Sequence, residues 1–182
     1  MNYLENTIKL ARYYKGLGER TFEQLSDEDM FWSPGEDNNS IATIVKHLWG
    51  NMLSRWTNFL TEDGEKGWRN REAEFVNDIT SGDEIKSKWN EGWTCFIEAL
   101  ESLSSDQLED IIYIRNEGHT IMDAIQRQLS HYPYHIGQIV FIGKMMKGSD
   151  WESLSIPRGQ SDAYNANKFG QEKDQQHFTD NV

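Results

Sequence analysis

The sequence predicts an all-α protein, a four-helix bundle with long connections. Four long segments repeat apolar residues at intervals of three and four, three of them opening on a capping residue. No long stretch alternates with the period of two that a half-buried strand needs. Long amphipathic helices joined by long connections are the pattern of a bundle.

The first segment spans about residues 2–25, with Leu4, Ile8, Ala11, Phe22 and Leu25 on one face. Gly16 and Gly18 weaken its middle by roughly 1 kcal/mol each relative to alanine, so a break is expected there. The turn-rich SDEDMFWSPGEDNN that follows reads as a loop. Asn39 or Ser40 caps the second helix. Its inward face carries Ile41, Ile44, Val45, Leu48, Trp49, Met52, Trp56 and Phe59, and it is expected to end near Leu60. Residues 61–78, TEDGEKGWRNREAEFVND, are too long and polar for a tight turn and should cross one end of the fold.

Ser81 with Glu84 forms a capping-box pattern for the third helix, which turns Ile85, Trp89, Trp93, Phe96, Ile97 and Leu100 inward and stops near the serine-rich turn at 102–105. IIYIR, residues 111–115, reads as extended or helical alike, because one short apolar run has no diagnostic period. Thr120 with Asp123 opens the fourth helix, which runs from Ile121 to about Lys147 with Gly148 as its stop. Residues 150–165 are expected as packed irregular chain and 170–182 as frayed. The chain therefore divides into one domain over 1–165 and a polar C-terminal tail over 166–182, with no internal repeat.

Composition narrows the function. The 182 residues carry 30 Asp and Glu against 18 Lys and Arg, a formal net charge of −12. A field of that sign repels phosphate backbones and anionic lipid surfaces, which argues against nucleic-acid and membrane partners. Seven tryptophans and 37% hydrophobic residues supply a core. One cysteine, Cys95, makes no internal disulfide, and the N-terminus lacks a signal-peptide pattern. A soluble, cytoplasmic protein is expected.

The segment LSHYPYHIGQIVFIGK, residues 129–144, carries the chemistry. At 100° per residue the core face of the fourth helix centres on Ile125, Leu129, Ile136 and Gly143. His131 and His135 lie about 80–120° to one side and about 40° apart, so their rings leave the helix in nearly one direction. His47, beside Ile44 and Asn51, occupies the matching flank of the second helix. Three histidines on facing helices form a candidate metal site, imidazole being the commonest ligand near neutral pH. Boundary histidines satisfied by water or a carbonyl are the alternative. Tyr132 stands where the zinc-protease pattern H-E-x-x-H has its glutamate, which excludes that class. Pro133 removes one backbone hydrogen bond and should kink the helix, at about 3 kcal/mol in an ordinary helix interior. Local rule violations of that size concentrate at functional sites.

Three neutral nitrogens leave coordination positions free, the arrangement of a reactive rather than a closed structural centre. Imidazole accepts zinc, nickel, iron and manganese alike, with zinc or nickel preferred here. Arg55 falls on the inward face of the second helix, two turns beyond His47. A charge there needs a carboxylate partner or an anionic ligand group. Trp68, Arg69 and Arg71 lie in the long polar loop, where Trp68 and Arg71 are candidates for covering a substrate. Arg158 is free to fold over the bundle, although nothing local requires it. Cys95 reads as a small buried residue, and His119 and His177 as solvated.

The pairing of SIATIVKHLWGN, containing His47, with His131-x-x-x-His135-x-Gly137-Gln138 resembles the DinB/YfiT-like superfamily of metal-dependent four-helix-bundle proteins. The similarity is greatest to an uncharacterised bacterial subgroup, through G-E-K-x-W-R-x-R-x-x-E-F at Gly64 to Phe75 and I-P-R-G-x-S at Ile156 to Ser161. Many superfamily members carry H-H-R-G-Q at the end of the motif, where this chain has Tyr134, His135 and Ile136. The resemblance implies a divalent metal held by His47, His131 and His135. It also implies a thiol S-transferase acting on small electrophiles, with a low-molecular-weight thiol as cosubstrate and no assigned catalytic side chain. A metal-dependent hydrolase and a non-catalytic, stress-related bundle with a structural metal are the other readings. A homodimer is also expected, since the apolar helix faces are wide.

Overall fold

The computed structural model describes residues 2–35 and 37–181. It is mostly helical, with six α-helices and one two-stranded sheet among those residues: α1 (Tyr3–Phe22), α2 (Asp27–Phe31), α3 (Ile41–Trp56), α4 (Gly82–Glu101), β1 (Ile111–Ile114), β2 (Glu117–Thr120), α5 (Ile121–Lys147) and α6 (Ser161–Phe169). No described helix is long and apolar enough to cross a membrane.

The caps anticipated from sequence set the helix starts. Ser40 Oγ accepts from the Thr43 amide at 3.1 Å and opens α3. Ser81 Oγ accepts from Glu84 N at 3.2 Å, and Thr120 Oγ1 from Asp123 N at 3.0 Å. α5 ends at Gly148, whose φ of 55° lies in the left-handed region where glycine is least strained. It runs through Pro133 as one continuous helix.

Several details depart from the sequence reading. α1 is unbroken across both glycines. Gly18 is there for packing, since a Cβ at that position would lie 2.3 Å from the Trp89 ring. The region between α1 and α3 contains the short helix α2, capped by Ser26. α3 stops at Trp56 rather than near Leu60, and Asn58 takes a positive φ of 48°. IIYI, residues 111–114, is extended and pairs antiparallel with EGHT, a strand too polar to show in the sequence. The chain end is not frayed throughout. His177 is buried, Phe178 packs edge-to-face on Tyr13 at 5.3 Å, and Asp180 pairs with Lys9 of α1.

The four long helices share one core. α3 packs on α4 and α5, and α1 packs on α4 and α5. Leu48, Met52 and Trp56 of α3 meet Trp89, Trp93 and Phe96 of α4, with Ile125, Tyr132, Ile136 and Ile139 of α5 closing the layer. Tyr132 is 1% exposed and decides how α5 sits. Its ring lies edge-on to Phe96 at 5.2 Å. Its hydroxyl accepts from Trp56 Nε1 at 3.1 Å and donates to Asn51 Oδ1 at 3.2 Å. A buried hydroxyl with both partners met locks the rotation of α5 against α3. That rotation turns His131 and His135 toward His47.

Candidate metal centre

His47 comes from the middle of α3, and His131 and His135 from successive turns of α5. The Nε2 atoms of His47 and His131 lie 3.3 Å apart, and those of His131 and His135 lie 3.1 Å apart. All three ligand atoms fall within 4.8 Å of one another. A tetrahedral ion at about 2.0–2.1 Å from each nitrogen places neighbouring nitrogens about 3.3–3.4 Å apart. The three histidines therefore form a group able to hold a metal ion.

Their other ring nitrogens define the chemistry. His47 Nδ1–H donates to Glu74 Oε2 at 2.8 Å, His131 Nδ1–H to Gln128 Oε1 at 3.4 Å, and His135 Nδ1–H to Gln138 Oε1 at 3.2 Å. With the proton of each neutral ring on Nδ1, three Nε2 lone pairs face one another with no donor among them. A cation satisfies that arrangement. Such acceptors behind each imidazole also fix its tautomer and raise its basicity toward a metal. Burial first, then the neighbouring imidazoles and the charges of Arg55 and Arg127, push the His131 pKa down to about 3. Burial, then the neighbouring His47 imidazole, push that of His135 down to about 4, against a weaker upward effect of the Gln138 bond. Both rings are neutral at physiological pH, the form a metal binds.

The polar loop expected to cross one end of the fold closes one side of this centre. It is fastened to α3 by Ser54 Oγ, which donates to Gly64 O at 2.9 Å and accepts from Lys66 N at 3.1 Å. Its helical turn at Glu72–Phe75 then delivers two side chains to His47. Glu74 bonds Nδ1, and the Phe75 ring stacks on the imidazole at 5.0 Å with an interplanar angle of 26°. Gly50 makes the close approach feasible, because a Cβ there would lie 2.5 Å from Glu74 Oε1. Arg69 clamps the same carboxylate from behind, Nε to Oε1 at 2.7 Å and Nη2 to Oε2 at 3.0 Å. Burial alone would raise the Glu74 carboxyl, but the bonds from His47 and Arg69 outweigh it and hold the group below the usual carboxyl range. Glu74 is therefore ionised.

A cavity of about 470 Å³ opens beside the imidazoles, lined by all three histidines together with Asn51, Phe75 and Tyr134. Arg55 and Arg71 line it, and Arg69, Arg115 and Arg127 join them. Trp68 does not: it is 60% exposed and lies outside the lining. Arg55 is buried and bonds Glu65 at 3.0 Å and the Gly64 carbonyl. Arg115 reaches the cavity from the turn between β1 and β2. Arg115 and Asn116 both adopt positive φ (58° and 61°), the pairing of a two-residue type I′ hairpin. Asp63 pins that turn by accepting from both backbone amides at 2.8 Å.

Sequence reasoning missed Glu74, Gln128, Arg115 and Arg127. Glu74 lies within the quoted Gly64–Phe75 motif, and Gln128 and Arg127 lie one turn before His131, so a signal existed for those three. Arg115 carried none, since Arg-Asn is not a usual turn pair. Cys95 is half-buried, with its thiol pKa raised by burial. His119 is not solvated as expected, since Nδ1 bonds Asp123 at 2.8 Å and Nε2 is buried without a partner. Arg158 is exposed and outside the cavity lining.

The chain matches the family model described as a protein of unknown function (DUF1572) over residues 1–160. No curated protein matches it.

Proposed function

We propose a function for a chain that belongs to the DUF1572 family of proteins of unknown function: that of a divalent-metal-dependent enzyme with a DinB/YfiT-like four-helix-bundle fold. The reaction is transfer of a low-molecular-weight thiol to a small electrophile. His47, His131 and His135 hold the ion through Nε2, with zinc or nickel favoured by an all-imidazole set. A divalent ion bound there lowers the pKa of a thiol or water and polarises an electrophile.

The observation carrying this reading is the adjacency of three convergent, donor-free Nε2 atoms to an open cavity of about 470 Å³. A purely structural centre would be closed by a fourth protein ligand, whereas here the nitrogens face space of small-molecule size. The chain's own residues do the rest. Glu74, Gln128 and Gln138 orient the imidazoles, Phe75 screens His47 from water, and Arg55 and Arg71 receive the substrate.

The test combines elemental analysis, circular dichroism and turnover in His47→Ala, His131→Ala and His135→Ala. Wild-type protein should hold one equivalent of metal and consume an electrophile such as 1-chloro-2,4-dinitrobenzene with at least one thiol among glutathione, bacillithiol and mycothiol. Each variant should lose metal and turnover while keeping its helical signal. Metal content at background in wild type, or turnover untouched by the substitutions, overturns the proposal.

A further inference from the structure

Five guanidiniums line the cavity beside the histidines, on a chain whose net charge is −12. They come from four separate places: Arg55 from α3, Arg69 and Arg71 from the polar loop, Arg115 from the hairpin turn and Arg127 from α5. Among the described residues no Asp or Glu lines the cavity with them. Among the described residues the carboxylates that pair with them are Glu65, Glu72 and Glu74, and all stand outside the lining. Glu65 is shared among Arg55, Arg69 and Arg115.

One position is left unmet, and one guanidinium has no protein partner. The Arg55 side chain is 5% exposed, and its Nε is buried with no hydrogen-bond partner. Arg127 is exposed and has neither an ion pair nor a hydrogen bond among the described residues, and it lies four residues before His131 on the same face of α5. A buried guanidinium nitrogen without an acceptor is expensive, and crowded like charges repel. An acidic protein has ample carboxylates to neutralise such a cluster, yet among the described residues none of them lines this cavity.

We infer that this cavity is a binding site for the oxyanion group of a small molecule, a carboxylate or a phosphate, held by Arg55, Arg115 and Arg127 beside the imidazoles. Planar guanidinium forks match both groups bidentately. The volume suits a metabolite-sized ligand rather than a polymer. The inference deepens the metal-dependent reading by naming the charge of the substrate, and it rests on that reading only for the ligand's second end, which faces the three nitrogens.

Isothermal titration calorimetry with succinate and with inorganic phosphate, on metal-free and on zinc-loaded protein, tests it. At least one probe should bind the metal-free protein at one equivalent. Arg127→Gln and Arg115→Gln should each weaken it roughly tenfold, while Lys86→Gln, the same charge change on the exposed side of α4, should leave it unaltered. Binding of succinate alone would identify a carboxylate site, and of phosphate alone a phosphate site. Absence of binding by both, or an equal effect of Lys86→Gln, overturns the inference. Zinc held at one equivalent with neither probe bound would remove the anion site and spare the metal reading. Arginine-dependent binding on a chain that holds no zinc would do the reverse.

Discussion

Glu74 accepts a hydrogen bond from Nδ1 of His47 at 2.8 Å, joining a loop turn to a helix 27 residues earlier in the chain. This contact makes the polar loop part of the candidate metal centre, since the same carboxylate is held bidentately by Arg69. Removing an acceptor behind a ligating imidazole typically lowers metal affinity 10–100-fold. Glu74→Ala should do so, and should also leave the Arg69 guanidinium, whose side chain is 2% exposed, without its main partner. Glu74→Gln keeps an acceptor for Nδ1 and should lose less. Competition against a zinc chelator measures both, and equal affinities for all three proteins would remove Glu74 from the centre.

Gly50 lies where a Cβ would come within 2.5 Å of Glu74 Oε1. Alanine is otherwise the better helix former by about 1 kcal/mol. Gly50→Ala should therefore weaken zinc binding by displacing the Glu72–Phe75 turn, even though it favours the helix locally. An unchanged zinc affinity in Gly50→Ala would show that the turn yields without disturbing His47.

The pH dependence of the metal-free protein follows from the two depressed imidazoles. His131 and His135 titrate near 3 and 4 when folded, against 6.5 as the ordinary value. Between those limits the unfolded chain binds protons that the folded chain refuses, so stability falls with acidification. The loss begins as pH drops through about 6.5 and levels off below about 3. The carboxyls of Glu65 and Glu74 are held below their usual range, so titrations between pH 7.5 and 5 isolate the histidines. Urea midpoints should decline over that interval in wild type and decline less in His131→Asn and His135→Asn. Equal slopes would refute the assignment.

Tyr132 sets the rotation of α5 through Trp56 and Asn51. Tyr132→Phe strands a buried indole N–H and an amide oxygen, a loss of about 1–3 kcal/mol. Chemical denaturation should show that loss, together with weaker zinc binding as the histidines lose their fixed bearing. A Phe variant as stable as wild type would mean that packing alone orients the helix.

The sequence by itself determined the long helices, their caps and the identity of the three converging histidines. Those features are local: periodicity at three and four, a serine or threonine before an apolar run, and an i, i+4 pair whose shared direction follows from helix pitch. Arg55 was legible for the same reason, as a charge on an apolar face. The tertiary structure decided what surrounds them. Glu74 and Phe75 reach His47, and Arg115 reaches the cavity, only because Ser54, Gly50 and Asp63 hold a polar loop and a hairpin turn in place. Trp68, in the same loop, is exposed and lies outside the lining of the cavity that its neighbour Arg69 lines. Loop side chains carry no periodicity, so their directions are set by contacts distant in sequence, and no pattern along the chain encodes which of two adjacent residues turns inward.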